Sequence, residues 1–213
     1  MHTHARAVCF APEAGLLSRA KAVLCTSPCR ELGEHNETLR PYDLFSSAVP
    51  DEHTMTTWLP RDRVPVTMQR LPDGTTAIAL GDGLYYASEA AALGRDCPQS
   101  VVFFGHYTED GEGADKTSPR LLVYDVWYTE EQMLHPQERY SQLRSHLARH
   151  LAGPVCTVQW VGFRKAAEQI LREKHSYPHD IESLVCLTPD CHRLLQPLLV
   201  CTAGLGFSRA KPQ

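Results

Sequence analysis

Along this chain the apolar positions change period, and the change divides it. Between Glu13 and Leu24 apolar residues recur at helical spacing (Leu16, Leu17, Ala20, Val23, Leu24), which predicts a helix with one buried face. Thr26–Pro50 is polar and turn-rich, so residues 1–57 read as a partly helical N-terminal extension. From Val64 the pattern is that of strands. Val64–Gln69, Thr75–Leu80 and Gly83–Ser88 predict a meander, with Pro72-Asp73-Gly74 and Gly81-Asp82-Gly83 as tight turns. Two longer apolar runs, Val101–Tyr107 and Leu121–Tyr128, flank a polar, Gly-rich turn region. Gln137–Leu151 is amphipathic, opened by Pro136 and stopped by Gly153-Pro154. Thr157–Val161 (strand), Arg164–Lys174 (helix), Ser183–Thr188 and Leu198–Thr202 (strands) complete the pattern. The order predicts an α+β fold with antiparallel sheets flanked by helices, one domain over residues 58–205, and a tail over 206–213.

Composition narrows the functions this domain can serve. At 213 residues with 43% hydrophobic positions, the chain is long enough for one good core. Its formal net charge is −4, so no global basic field exists to hold a long nucleic-acid duplex. Mononucleotides and short RNA ends stay open as ligands. No apolar run approaches the roughly 20 residues of a membrane span, and MHTHARAVCF lacks the apolar stretch of a signal peptide. A cytoplasmic or nuclear protein with no membrane partner is expected.

Eight cysteines are scattered rather than framed, and Cys156, Cys186 and Cys201 lie within apolar strand-like runs. Free thiols are the expectation in a reducing compartment. The zinc alternative would draw on Cys25, Cys29, Cys186, Cys191 and His192, whose spacings are loose, so no metal and no cofactor are expected.

One residue stands out in the strand Leu121–Tyr128. Asp125 is a single acid inside an apolar run, and a buried carboxylate costs several kcal/mol unless it is paired or used. The run reads LLVYDVWY, and it resembles a strand of the covalent nucleotidyltransferases: DNA ligases, RNA ligases and mRNA capping enzymes. Other family motifs have counterparts in the same order. Leu71-Pro72-Asp73-Gly74 matches the catalytic K-x-D-G. Phe104-Gly105-His106 matches D-G-E, Glu182-Ser183-Leu184-Val185 matches E/D-G-L-V, and Leu194–Leu198 stands where L-K-W-K belongs. The resemblance implies a nucleotidyltransferase/ATP-grasp-like fold, here without the OB-fold domain that capping enzymes carry.

The resemblance also implies which chemistry has gone. Leu71 replaces the lysine that attacks the α-phosphate, and a leucine has no lone pair. His106 replaces the ribose or metal glutamate, and both late lysines are missing. Groups that sandwich a base in the family persist: Tyr124 at the stacking position, Val185 on the opposite wall, and Glu182 as the retained acid. The profile is similar to that of the snurportin-type cap-binding domains, which also lack the lysine and share a Val161-Gly162-Phe163-Arg164-Lys165-like step. The expectation is a catalytically inactive domain that binds a nucleotide or an RNA 5′ cap by base stacking. Its ligand-binding residues would be Tyr124, Val185, Glu182, Asp73 and His106, with Tyr85, Tyr86, Trp127 and Trp58 as further stackers. The alternative is a pseudoenzyme scaffold acting through a protein partner.

Overall fold

The computed structural model describes residues 14–25, 30–32, 55–81, 83–88, 90–111, 117–128, 138, 141–153, 155–158, 169, 172–173, 176–187 and 193–197. Among the described residues, ten strands make two sheets. They are β1 (Arg30–Leu32), β2 (Met55–Pro60), β3 (Val64–Arg70), β4 (Thr76–Leu80), β5 (Gly83–Ala87), β6 (Val101–Gly111), β7 (Thr117–Tyr128), β8 (Cys156–Val158), β9 (Ile181–Leu187) and β10 (Arg193–Pro197). The larger sheet has seven strands in the order β1-β5-β4-β3-β6-β7-β8, and the smaller has three in the order β10-β9-β2. Every neighbouring pair is antiparallel except β7 and β8, which run parallel across an intervening helical segment. The fold is α+β with mainly antiparallel sheets.

Strict alternation along β3 to β6 gives the large sheet two apolar faces. Val64, Val66 and Met68 on β3, Ile78 and Leu80 on β4, and Val101 and Phe103 on β6 point to one face. Helix α1 (Ala14–Leu24) covers that face with Leu16, Ala20 and Leu24, one stripe at four-residue spacing. Leu143 and Leu147 add to the same core. Ala77, Leu84, Val102, Phe104 and Tyr124 form a smaller cluster on the opposite face. The residues of α1 and β1, N-terminal to residue 58, are thus built onto the domain's own sheet.

The structure differs from the sequence expectations at three places. The Gly-rich region between the long runs is not all turn: β6 continues to Gly111 and β7 begins at Thr117, because Thr108–Asp110 pair with Ser118–Arg120. The segment expected as an amphipathic helix over 137–151 is helical where it is described, but only Glu138, Ser141 and Gln142 are α-helical; it continues as a π turn at Leu143–Leu147 and a 3₁₀ turn at Ala148–His150. It ends where residues 150–152 pair with residues 92–94: Gly94 N–H donates to His150 O (2.7 Å) and Ala152 N–H to Ala92 O (2.9 Å). Strand β2 lies in what reads as the end of the leader, because Trp58 and Leu59 are buried and pair across to β9. Among the expected elements, Leu198–Thr202 and most of Arg164–Lys174 lie outside the described residues.

Candidate functional site

The second face of the large sheet is where the chemistry-bearing side chains collect, and a bulge makes this possible. Phe104 pairs with Asp125, but Gly105 pairs with Val123, so Tyr124 is the extra residue on β7. A bulge rephases the strand beyond it. Val123 and Val126, three apart, therefore share the main core, while Tyr124 joins the opposite cluster. Glycine is required at the bulge. A Cβ on Gly105 would lie 2.6 Å from Leu122 O and 3.2 Å from Val123 Cα.

His106 and Tyr124 are brought together. Their rings stack with centroids 5.3 Å apart and planes at 14°, and both residues are buried, at 3% and 1% exposure. The imidazole thus lies alongside the tyrosine ring. Asp125, 2% exposed, accepts from Val126 N–H at 2.9 Å. Further along the same face, Gln69 is buried and donates from Nε2 to Gln99 O at 3.2 Å; its Oε1 has no hydrogen-bond partner among the described residues.

The remaining expected site residues lie elsewhere. Asp73 sits in the β3–β4 turn, where its Oδ1 accepts from Thr75 N–H (2.8 Å) and Thr75 Oγ1–H (2.6 Å). Those bonds hold its carboxyl below the ordinary aspartate value. Gly74 comes next at φ +83°, and Gly74 N–H donates to Leu71 O. The Pro72-Asp73-Gly74 run is therefore accounted for by turn chemistry. Glu182 is on β9 in the smaller sheet, in an ion pair with Arg63. Val185 is also on β9, paired with Leu195 and Thr57, and its side chain lies outside the described residues. Of the other aromatic candidates, Tyr85 is buried in the main core beneath the Lys21 ammonium (4.4 Å from the ring centre), and Trp58 is 7% exposed, so neither is a surface stacker. Tyr86 is half-buried at the margin of the second face.

Sequence reasoning missed a polar chain at the seam between the sheets. Trp58 Nε1–H donates to His179 Nε2 (3.1 Å), and His179 Nδ1 lies 2.9 Å from Asp110 Oδ1. Arg120 holds Asp110 Oδ2 with two nitrogens, Nε at 2.8 Å and Nη2 at 2.7 Å. Tyr177 stacks at a tilt on Trp58, with centroids 4.9 Å apart. Backbone bonds run alongside: Gly111 N–H to Pro178 O (2.9 Å) and Arg61 N–H to Asp180 O (2.8 Å). The available signal was the period-two pattern continuing through Thr108-Glu109-Asp110 and Ser118-Pro119-Arg120, which the glycines and charges nearby obscured.

Compared with protein-family models and with curated protein sequences, the chain matches none of them.

Proposed function

We propose that the chain is a nonenzymatic domain of nucleotidyltransferase-like architecture whose base-stacking position is filled by its own His106, and that it acts as a binding scaffold for a protein partner. The observation that supports this reading is the buried His106–Tyr124 stack. In this reading a base would need a face of the Tyr124 ring, and the buried imidazole already lies against that ring. The acid retained at Glu182 is likewise engaged by Arg63. Leu71, which packs at the margin of the second apolar cluster, supplies no nucleophile.

The test opens the slot. His106→Ala should lower the melting temperature, and free imidazole should recover part of the loss by refilling the space. The wild-type protein should show no calorimetric binding of m7G cap, trimethylguanosine cap, GTP or ATP at millimolar concentration. Sub-millimolar affinity of the wild-type for any of these, abolished by Tyr124→Ala, would replace the scaffold reading with the base-binding one. That second reading would require a base to displace the imidazole from Tyr124; base–aromatic stacking is worth about 1–3 kcal/mol. Incubation with labelled ATP or GTP and Mg²⁺ should leave no alkali-stable nucleotide on the protein. A lysyl adduct would refute both.

A further inference from the structure

The edge of the seven-stranded sheet beside β5 is closed by the chain's own N-terminal segment. β1 lies antiparallel to β5, with Arg30 opposite Tyr86, Glu31 opposite Tyr85 and Leu32 opposite Leu84. Among the described residues Gly83 and Ala87, the ends of β5, pair with β4 on one side and with no strand on the other. Helix α1, just upstream, is held more firmly than β1. Leu16, Ala20 and Leu24 are buried in the main core, Arg19 pairs with Glu109 on β6, and Ala91 N–H donates to Leu24 O (3.3 Å). A three-residue pairing rests on a few backbone bonds, each a small net gain because water competes for the same groups. β1 can therefore leave β5 while α1 stays in place.

The register of β1 shows what the vacated edge would accept. Residues directly opposite one another in an antiparallel pair share one side of the sheet. A residue seated opposite Tyr85 therefore lies on the α1 side. There the Lys21 ammonium sits 4.4 Å from the centre of the Tyr85 ring and has no carboxylate partner among the described residues. Residues seated opposite Leu84 and Tyr86 lie on the other side, at the margin of the second apolar cluster. The edge thus suits an extended segment with an acid between two apolar residues. β1 meets that pattern at Glu31 and Leu32, but carries a charge, Arg30, at the third position.

We propose that the β5 edge is the docking site for an extended apolar–acid–apolar segment of a partner protein, and that β1 is the chain's own placeholder there. The partner adds a strand to the sheet by the backbone bonds that β1 gives up. This names a place and a chemistry for the protein partner of the scaffold reading and rests on that reading. Nucleotide titration decides that reading, and strand exchange decides this one.

The test unseats β1 by two adjacent prolines, Glu31→Pro with Leu32→Pro, because one of any two neighbouring residues points its N–H at β5. The probe is the fluorescein-labelled peptide Ser-Thr-Val-Glu-Val-Thr-Ser, read by anisotropy against the full chain. The double-proline variant should bind it about tenfold tighter than the wild type, in which β1 competes, the weight of one net hydrogen bond. Lys in place of the central Glu of the peptide should weaken binding about threefold, the scale of a cross-strand charge pair, and Lys21→Gln should erase that preference. A peptide N-methylated on Glu and both valines keeps its side chains but loses its strand bonds, and should not bind. In the wild type, amide protection of Arg30–Leu32 should be about 100-fold lower than that of Val66 and Met68 in the sheet interior, which keeps the test if the double-proline variant fails to fold. No binding by that variant, equal binding by the wild type, binding that survives N-methylation, a Lys peptide bound as well as the Glu peptide, or β1 amides protected like the sheet interior would each overturn the proposal.

Discussion

Gly105→Ala is the most demanding test of the strand geometry that turns Tyr124 to the second face. The new Cβ would lie 2.6 Å from Leu122 O, with Leu122 C and Val123 Cα both at 3.2 Å. Carbon normally meets a carbonyl oxygen at about 3.3–3.6 Å, so β6 and β7 would have to part by roughly 0.7–1 Å at this point. Strand β6 cannot yield by sliding away, because β3 is hydrogen-bonded along its other side from Val64 to Gln69. The obstacle is backbone rather than a flexible side-chain tip, and the cost should match overpacking of a well-ordered core, about 2–3 kcal/mol. Urea unfolding followed by circular dichroism and by tryptophan fluorescence would measure it, with coincident transitions establishing two-state behaviour. Gly111→Ala is the control. Its Cβ would meet Pro178 O at an ordinary 3.6 Å, and its stability should stay within about 0.5 kcal/mol of wild type. If Gly105→Ala is as stable as Gly111→Ala, the bulge does not bring the strands together as described.

Three further outcomes are expected. Leu24→Ala, which empties a fully buried site between α1 and the sheet, should cost about 2–5 kcal/mol in the same unfolding assay, whereas a loosely attached helix would lose almost nothing. Burial pushes the Cys97 thiol up to about 11 and the Cys156 thiol up to about 12, so both should resist alkylation at pH 8 in the folded protein and react once urea unfolds it, as peptide mapping would show. Burial pushes the Glu109 carboxyl up, but hydrogen bonds from Arg19 and Tyr107 outweigh that and hold it below the ordinary glutamate value. A depressed carboxylate contributes stability above its unfolded pKa and loses it as pH falls through the folded one. Glu109→Gln should therefore remove part of the stability lost on acidification below about pH 4.5, and an unchanged acid profile would rule that out.

The sheet strands that alternate cleanly were legible because one residue in two must face a core. Val64–Arg70 and Thr76–Leu80 differ from expectation by one residue at an end, and the α1 stripe was visible for the same reason at helical period. What escaped was set by partners distant in sequence. The bulge at Tyr124 depends on where Gly105 meets Leu122, and no local pattern in LLVYDVWY announces it. His179 lies 69 residues from Asp110 and 121 from Trp58, so its role exists only after folding. Asp73 shows the converse: a motif-like Pro-Asp-Gly run in the sequence is also what a tight hairpin requires.

Among the described residues, the margins of the seven-stranded sheet are its shortest strands, β1 and β8, of three residues each. A short edge offers a foreign strand too few free backbone groups to grip, a common defence against edge-to-edge self-association. Of the two long strands with dense apolar runs, β6 sits inboard between β3 and β7, while β8 pairs with β7 over Leu121–Val123. Extending either margin, for example by grafting a longer strand in place of Arg30–Leu32, would uncover that liability without touching the core.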